Sequence, residues 1–279
     1  MKVPVLLPKI FNYPFTYNSG TNTKFKVGDL VVVPFGKRKE IGIVWDKIEP
    51  TFKKINYKKI DKKIENITIN KSLIKFINWF SMYNLVSKGM TLKMCLGNIL
   101  NITKKDKIEI KDKVFAKKKY ILSSEQTKSL KEIKNAGNNF NVSVLQGVTG
   151  SGKTLVYFER VKEIINSNKQ ALVLLPEIFL TNQFKTRLIE FFGFEPAIWH
   201  SKITPKNRRI IWKGIVDNRI KLVIGARSSL LLPFKNLGII IVDEEHDSSY
   251  KQDEGLIYNA RDMAITRASL ENIPIHLVT

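Results

Sequence analysis

Nine residues, Gln146–Thr154 (QGVTGSGKT), crowd three glycines, a lysine and two threonines together. The spacing fits G-x-x-x-x-G-K-[ST]. Gly147, Gly152, Lys153 and Thr154 take the fixed positions, with Val148, Thr149, Gly150 and Ser151 between them. Glycines let backbone N–H groups turn inward toward phosphate oxygens, and a following helix adds the positive end of its dipole. In such a loop Lys153 reaches the β and γ phosphates of a nucleotide, and the Thr154 hydroxyl binds Mg²⁺. The bland alternative is a flexible Gly/Ser turn. The strand-like VSVLQ before the loop and the helical LVYFERVKEII after it speak against that.

A second constellation completes the first. The buried-looking run LGIIIVDEEHD ends in Asp243, Glu244, Glu245 and His246. A carboxylate at the carboxyl end of a strand in an open α/β sheet faces the ligand crevice. Asp243 is therefore the second expected Mg²⁺ ligand, and Glu244 is the group to orient and deprotonate an attacking water. The expected cofactors are ATP and Mg²⁺, with Lys153, Asp243 and Glu244 as the catalytic residues. A GTPase would carry N-K-x-D and a transporter ATPase L-S-G-G-Q, and neither occurs. A D-E-x-H segment points to nucleic-acid-driven ATPases of helicase superfamily 2; a small-metabolite kinase is disfavoured.

The elements that must position these groups follow from the texture of the chain. From about residue 120, helical stretches alternate with the short apolar runs VSVLQG, ALVLLP, KLVIGA and LGIIIVDEE. Buried strands separated by helices predict a parallel sheet with crossover helices. The first hundred residues differ. VPVLLP, DLVVVPFG and EIGIVW are β-branched, broken by Gly and Pro, and read as strands. VGDLVVVPFGKRKEIGIVW predicts a hairpin whose tip, Gly36–Lys39, carries Lys37, Arg38 and Lys39. SLIKFINWFSMYNLV has apolar residues at helical spacing and reads as one amphipathic helix. The polar, charge-dense 101–119 reads as a linker, giving segments 1–100, 101–119 and 120–279.

The chain has 279 residues and a formal net charge of +22. A cationic surface displaces counterions from nucleic acid, which makes DNA a natural partner, although a lysine-rich proteome produces the same charge. The single cysteine, Cys95, excludes an internal disulfide framework, and three histidines without HExxH give no protein-built metal site. No apolar run reaches the ~18 residues of a membrane span. The expected compartment is the cytoplasm, with no membrane partner.

The runs GVTGSGKT, LLPEIFLTNQ, WHS, VIGARSSLLLPF, IIIVDEEHDSSYKQ and YNARDMAITRA resemble, in order, the replication-restart helicase family PriA. VPVLLPKIFNYPF and VGDLVVVPFGKRKEIGIV resemble that family's 3′ DNA-binding domain. The resemblance implies an α/β fold: a small mainly-β DNA-binding domain followed by a RecA-like P-loop helicase lobe, lobe 1 only. It implies an ATP-dependent 3′→5′ DNA helicase acting at stalled forks and helping to reload the replicative helicase. The implied partners are forks, 3′ ends, single strands, primosome proteins, the replicative helicase and single-strand-binding protein. The alternative is a fork-binding adaptor with a degenerate ATPase half.

Residue by residue, the resemblance makes Gln126 of LSSEQTKSL the adenine contact, although Ser-x-x-Gln is also a capping pattern. His246 would couple the nucleotide site to DNA. Tyr250, Lys251 and Gln252 would form a loop sensing single strands, Tyr250 by stacking or else by packing in the core. Arg227 would lie near the DNA track or in a structural ion pair, and Glu177 and Thr181 near DNA or nucleotide. A 3′ end would meet Phe11, Asn12, Gly36 and Lys58, with Phe11 a stacking face or ordinary β-core. Asn12 stands where the family usually has Asp, which keeps an acceptor and drops the charge. The resemblance further implies that a winged-helix domain is absent, since 101–119 is too short for one. It implies that the second lobe, its arginines and its zinc-binding cysteines are absent too, the chain stopping where a third helicase segment would begin at Thr279. Slow ATP turnover is then expected of the isolated chain, because an arginine finger is worth ~10³–10⁵ in rate.

Overall fold

The computed structural model describes residues 1–20, 24–46, 56–97, 118 and 120–279. Two compact units divide the chain, Met1–Lys105 and Asp106–Thr279. Of the predicted linker 101–119, only Lys118 is described.

The first unit is a five-stranded antiparallel sheet: β1 (Lys2–Leu6), β2 (Phe15–Asn18), β3 (Asp29–Phe35), β4 (Arg38–Val44) and β5 (Lys62–Thr68), ordered β2-β1-β4-β3-β5. The predicted hairpin is β3–β4, but its turn is only Gly36–Lys37, so Arg38 and Lys39 belong to a strand. Gly36 has φ +58°, the left-handed backbone a two-residue hairpin turn requires. The sheet curls on itself. Asn18 N donates to Lys58 O and Ile60 N to Asn18 O, both at 2.9 Å, which ties one edge strand to the segment leading into the other. Closure of this kind removes exposed edges. Val3, Val5, Leu7, Tyr17, Val31, Val33, Val44 and Ile60 fill the interior.

Helix α1 (Lys71–Tyr83) is capped by Asn70, whose side chain accepts from Leu73 N, and it ends before Leu85 and Val86. A second helix, α2 (Lys88–Leu96), has no counterpart in the sequence reading; Ser87 caps it through Met90 N. The stop between them is local: Leu85 adopts φ +53°, which no helix can continue through. Cys95 is buried on α2.

The second unit is a six-stranded, wholly parallel sheet. Its strands are β6 (Val142–Leu145), β7 (Gln170–Leu174), β8 (Ala197–Trp199), β9 (Leu222–Gly225), β10 (Leu237–Val242) and β13 (Ile275–Val278), ordered β6-β13-β10-β7-β9-β8. A two-stranded ribbon, β11 (Lys251–Gln252) with β12 (Tyr258–Asn259), stands apart from it. Helix α3 (Ser124–Asn135) leads into β6, and α4 (Lys153–Asn166), α5 (Asn182–Phe192), α6 (Pro205–Val216) and α7 (Ala260–Glu271) cross between strands. The four predicted strands are present, while β8 and β13 escaped notice. β13 places a histidine among apolar residues, and β8 is three residues long. Every residue of β7, β9 and β10 is buried, as both faces of a helix-covered sheet demand.

Candidate nucleotide site and DNA-facing groups

β6 delivers the phosphate loop and α4 leaves it. Gly150 (φ +84°) and Gly152 (φ +81°) take left-handed backbone, and Gly152 opens α4 as an N-cap that no side chain occupies. The orphan N–H groups of that first turn are left to serve an anion. Lys153 Nζ donates to the carbonyls of Gly147 and, at 3.4 Å, Val148, so its charge is held inside the loop. Val148, Thr149, Gly150 and Ser151 form the exposed rim.

Gln126 reaches this loop from α3. Its Oε1 accepts from Ser123 N at 3.0 Å and its backbone N donates to Ser123 Oγ at 3.2 Å, a full capping box. Its Nε2 donates to Ser151 O at 2.8 Å. A Cβ on Gly152 would lie 2.3 Å from that nitrogen and would push the end of the Gln126 side chain aside, while φ +81° itself favours glycine. One side chain both caps its helix and braces the loop.

Asp243 follows β10 on the sheet's carboxyl edge and is nearly buried, at 8% exposure. Oδ2 accepts from the Tyr157 hydroxyl at 2.7 Å and Oδ1 from Glu244 N at 3.1 Å. Burial pushes its carboxyl above the usual range, against the Tyr157 hydrogen bond, which pulls it down. Each oxygen keeps a lone pair for a cation. Glu244 adopts φ +49°, an uncommon conformation for a non-glycine residue and a cost accepted mostly at functional sites. Glu245 pairs with Arg261 of α7 at 3.0 Å, and His246 Nδ1 meets Thr279 Oγ1 at 2.9 Å. The DEEH segment is thereby pinned to α7 and to the end of β13. Phosphate loop, buried carboxylate and hydroxyl fit the demands of Mg²⁺·nucleotide, which takes one or two protein ligands besides its phosphates and waters.

In the first unit a groove of about 280 Å³ is lined by Phe15, Tyr17, Phe35, Gly36, Tyr57 and Lys58, among others. Lys58 Nζ approaches Gly36 O at 3.5 Å across its mouth. Phe11 packs edge-on against Phe15 (4.9 Å) and Phe35 (5.9 Å) and so backs the groove. Asn12 points elsewhere: its Oδ1 accepts from Lys88 N at the start of α2. Gly89 lies so close to this segment that a Cβ would come 2.1 Å from Lys9 O. The unforeseen helix α2 thus carries the Leu7–Asn12 stretch. Lys37 and Arg38 are exposed on the hairpin.

Residues 123–274 match the model of the DEAD/DEAH box helicase family. The chain belongs to that helicase family. Residues 2–97 match the PriA 3′ DNA-binding domain, and the two domains in this order are those of the N-terminal portion of replication restart protein PriA. The PriA of Rickettsia conorii is 41% identical over 98% of this chain, and that of Bacillus subtilis 40% identical over 60%. The match covers 42% of the first relative and 21% of the second, so the chain spans about two fifths of the length of the Rickettsia protein. A solved structure of RecG bound to a three-way DNA junction is similar over 58% of this chain and 21% of its own, at 24% identity and a TM-score of 0.43.

Within the helicase domain one expected DNA contact needs correction. Tyr250 is 2% exposed, and its hydroxyl lies 3.0 Å from Leu174 O and 2.6 Å from Asp243 O. A stacking platform must present its face, and this ring instead ties β7 to the DEEH turn. Burial and the surrounding carboxylates push its phenol far up. Arg227 donates to Lys251 O at 2.6 Å, a backbone partner rather than the ion pair weighed from sequence, and it steadies the β11–β12 ribbon. Lys251 Nζ pairs with Asp253 at 3.1 Å. Glu177 accepts from Ser201 Oγ at 2.6 Å, and Thr181 caps α5. Tyr157 and Arg261 were not anticipated. The only prior signal was position: each lies on a helix that opens beside a motif.

Proposed function

We propose that the chain is the DNA-sensing and nucleotide-binding portion of an ATP-dependent 3′→5′ DNA helicase that acts at forked DNA during replication restart. The single observation that carries this is the Lys153 loop and the Asp243–Glu244 turn standing at one edge of a parallel sheet in a chain that also holds a 3′ DNA-binding domain. Lys153 would exchange its loop carbonyls for phosphate oxygens. Thr154 and Asp243 would hold Mg²⁺, which supplies charge neutralisation at the phosphates. Glu244 would orient water, and His246 through Thr279 would report the state of the site. Gln126 would meet the base from the capping box. On the first unit, Gly36, Lys58 and the Phe11-backed groove would receive a 3′ end, with Lys37 and Arg38 on the phosphate backbone. Two functional domains, 1–100 and 120–279, joined by the 101–119 linker, belong to the same reading.

Fluorescence anisotropy of labelled DNA tests the DNA half. A fork with a recessed 3′ end should bind more tightly than the same fork with a 3′-phosphate, and both should weaken with salt as released counterions require. Equal binding to fork, blocked fork and blunt duplex would refute 3′-end recognition.

A further inference from the structure

Tyr157 sits fully buried on α4, one turn past the phosphate loop, with 0% exposure. Its hydroxyl donates to Asp243 Oδ2 at 2.7 Å. Thr154 stands one turn earlier on the same helix. The phenol that meets one side chain assigned to the metal therefore rises from the helix that carries the other, and it is neither a ligand nor part of either motif. Among the described residues the Asp243 carboxylate accepts two hydrogen bonds, from Tyr157 and from Glu244 N, and the phenol is the one supplied by another element. Its ring is fixed by an edge contact with Phe158 at 5.1 Å inside the core, so the hydroxyl has little freedom to follow a wandering carboxylate.

We propose that Tyr157 is a positioning residue for the divalent cation: its phenol ties the Asp243 carboxylate to the helix that carries Thr154, in the arrangement that receives Mg²⁺. This rests on the nucleotide-site reading given above. The physical logic is that of groups behind metal ligands in general. A ligand oxygen oriented in advance costs less to order when the ion arrives, and losing such support typically weakens metal binding by ~10–100-fold. The phenol also gives a nearly buried carboxylate a donor while leaving one lone pair per oxygen.

The test is Tyr157→Phe, which keeps the ring and removes one oxygen. Binding of a fluorescent, non-hydrolysable ATP analogue is titrated against Mg²⁺ for both proteins, with Asp243→Asn for comparison. The expected result is a Mg²⁺ half-saturation raised ~10–100-fold in Tyr157→Phe, with metal-free analogue binding unchanged, since Lys153 and Gln126 are untouched. Unchanged half-saturation in a wild type that does respond to Mg²⁺ overturns the inference and leaves the nucleotide site standing. A wild type with no Mg²⁺-dependent analogue binding overturns the nucleotide-site reading itself. Circular dichroism checks the fold of the variant. If it does not fold, Tyr157→His returns a ring donor at the same depth: half-saturation within about threefold of wild type supports the inference, while a folded His variant weakened as far as the ~10–100-fold expected for lost support contradicts it.

Discussion

Tyr250 and His276 are both buried polar rings, and they behave in opposite ways. The Tyr250 hydroxyl shares its one proton between two carbonyls, one at the end of β7 and one in the DEEH turn, the latter the nearer. Tyr250→Phe should therefore cost ~1–2 kcal/mol in urea unfolding, the usual value of a buried hydrogen bond with its orphaned acceptor. Single-strand affinity should stay the same; a loss of affinity at unchanged stability would return Tyr250 to the DNA surface. His276, on β13 between β6 and β10, is 0% exposed, and neither ring nitrogen has a partner among the described residues. Burial, with Arg160 adding repulsion, lowers its pKa to about 4. The folded value is below the unfolded ~6.5, so the stabilising contribution of the neutral ring is intact above that pH and is lost as pH falls toward 4. The loss amounts to about 3 kcal/mol across the window. His276→Leu should flatten stability between those pH values, and an identical pH slope in the variant would assign the loss to other groups. Core packing was one of the two readings weighed for Tyr250, whereas nothing pointed to His276. Sequence shows a Tyr beside a Lys and Gln, or a His among aliphatics, but not the depth at which each lies.

At the scale of elements, helix starts decide the site. The Ser123–Gln126 box, Gly152 and the Asn259 cap on α7 each fix where a helix begins and hence where a functional side chain points. Gly137 and Gly152 form a natural comparison, with φ +85° and +81°. A Cβ on Gly137 meets nothing within 4 Å, whereas one on Gly152 strikes Gln126 Nε2. Gly137→Ala should cost ~1–2 kcal/mol of left-handed strain and leave nucleotide binding alone. Gly152→Ala should add displacement of Gln126 and abolish measurable binding in the same fluorescence titration. Comparable binding in both variants would mean that the Gln126 brace is dispensable. The pattern of alternating strands and helices was readable because apolar runs of four to six residues bounded by Gly and Pro leave little choice. The helix α2 was not readable, since the single apolar stripe running through Val86 concealed a break that depends on the backbone of Leu85.

For the whole molecule, the sequence carried the order of parts and the motif chemistry, because phosphate loops and acidic strand ends are fixed by local spacing. It did not carry the curl of the first sheet, which depends on Asn18 meeting residues 58–60 across a long stretch of chain. Nor could it show that Asp243 needs a tyrosine from α4, a contact 86 residues apart. The charge of +22 belongs to this scale as well. Binding to forked DNA should fall steeply with salt, with log K linear in log salt concentration, and a flat dependence would exclude a phosphate-dominated contact. The central claim is that the Lys153 loop and the DEEH turn form one ATP site. Its most direct measurement is an equilibrium titration of fluorescent ATP analogue with Mg²⁺, comparing wild type and Lys153→Ala in the presence of forked DNA. Saturable binding by the wild type, competed by ATP and lost in Lys153→Ala, is the predicted result. Equal binding by the two proteins, or none by the wild type, would contradict it.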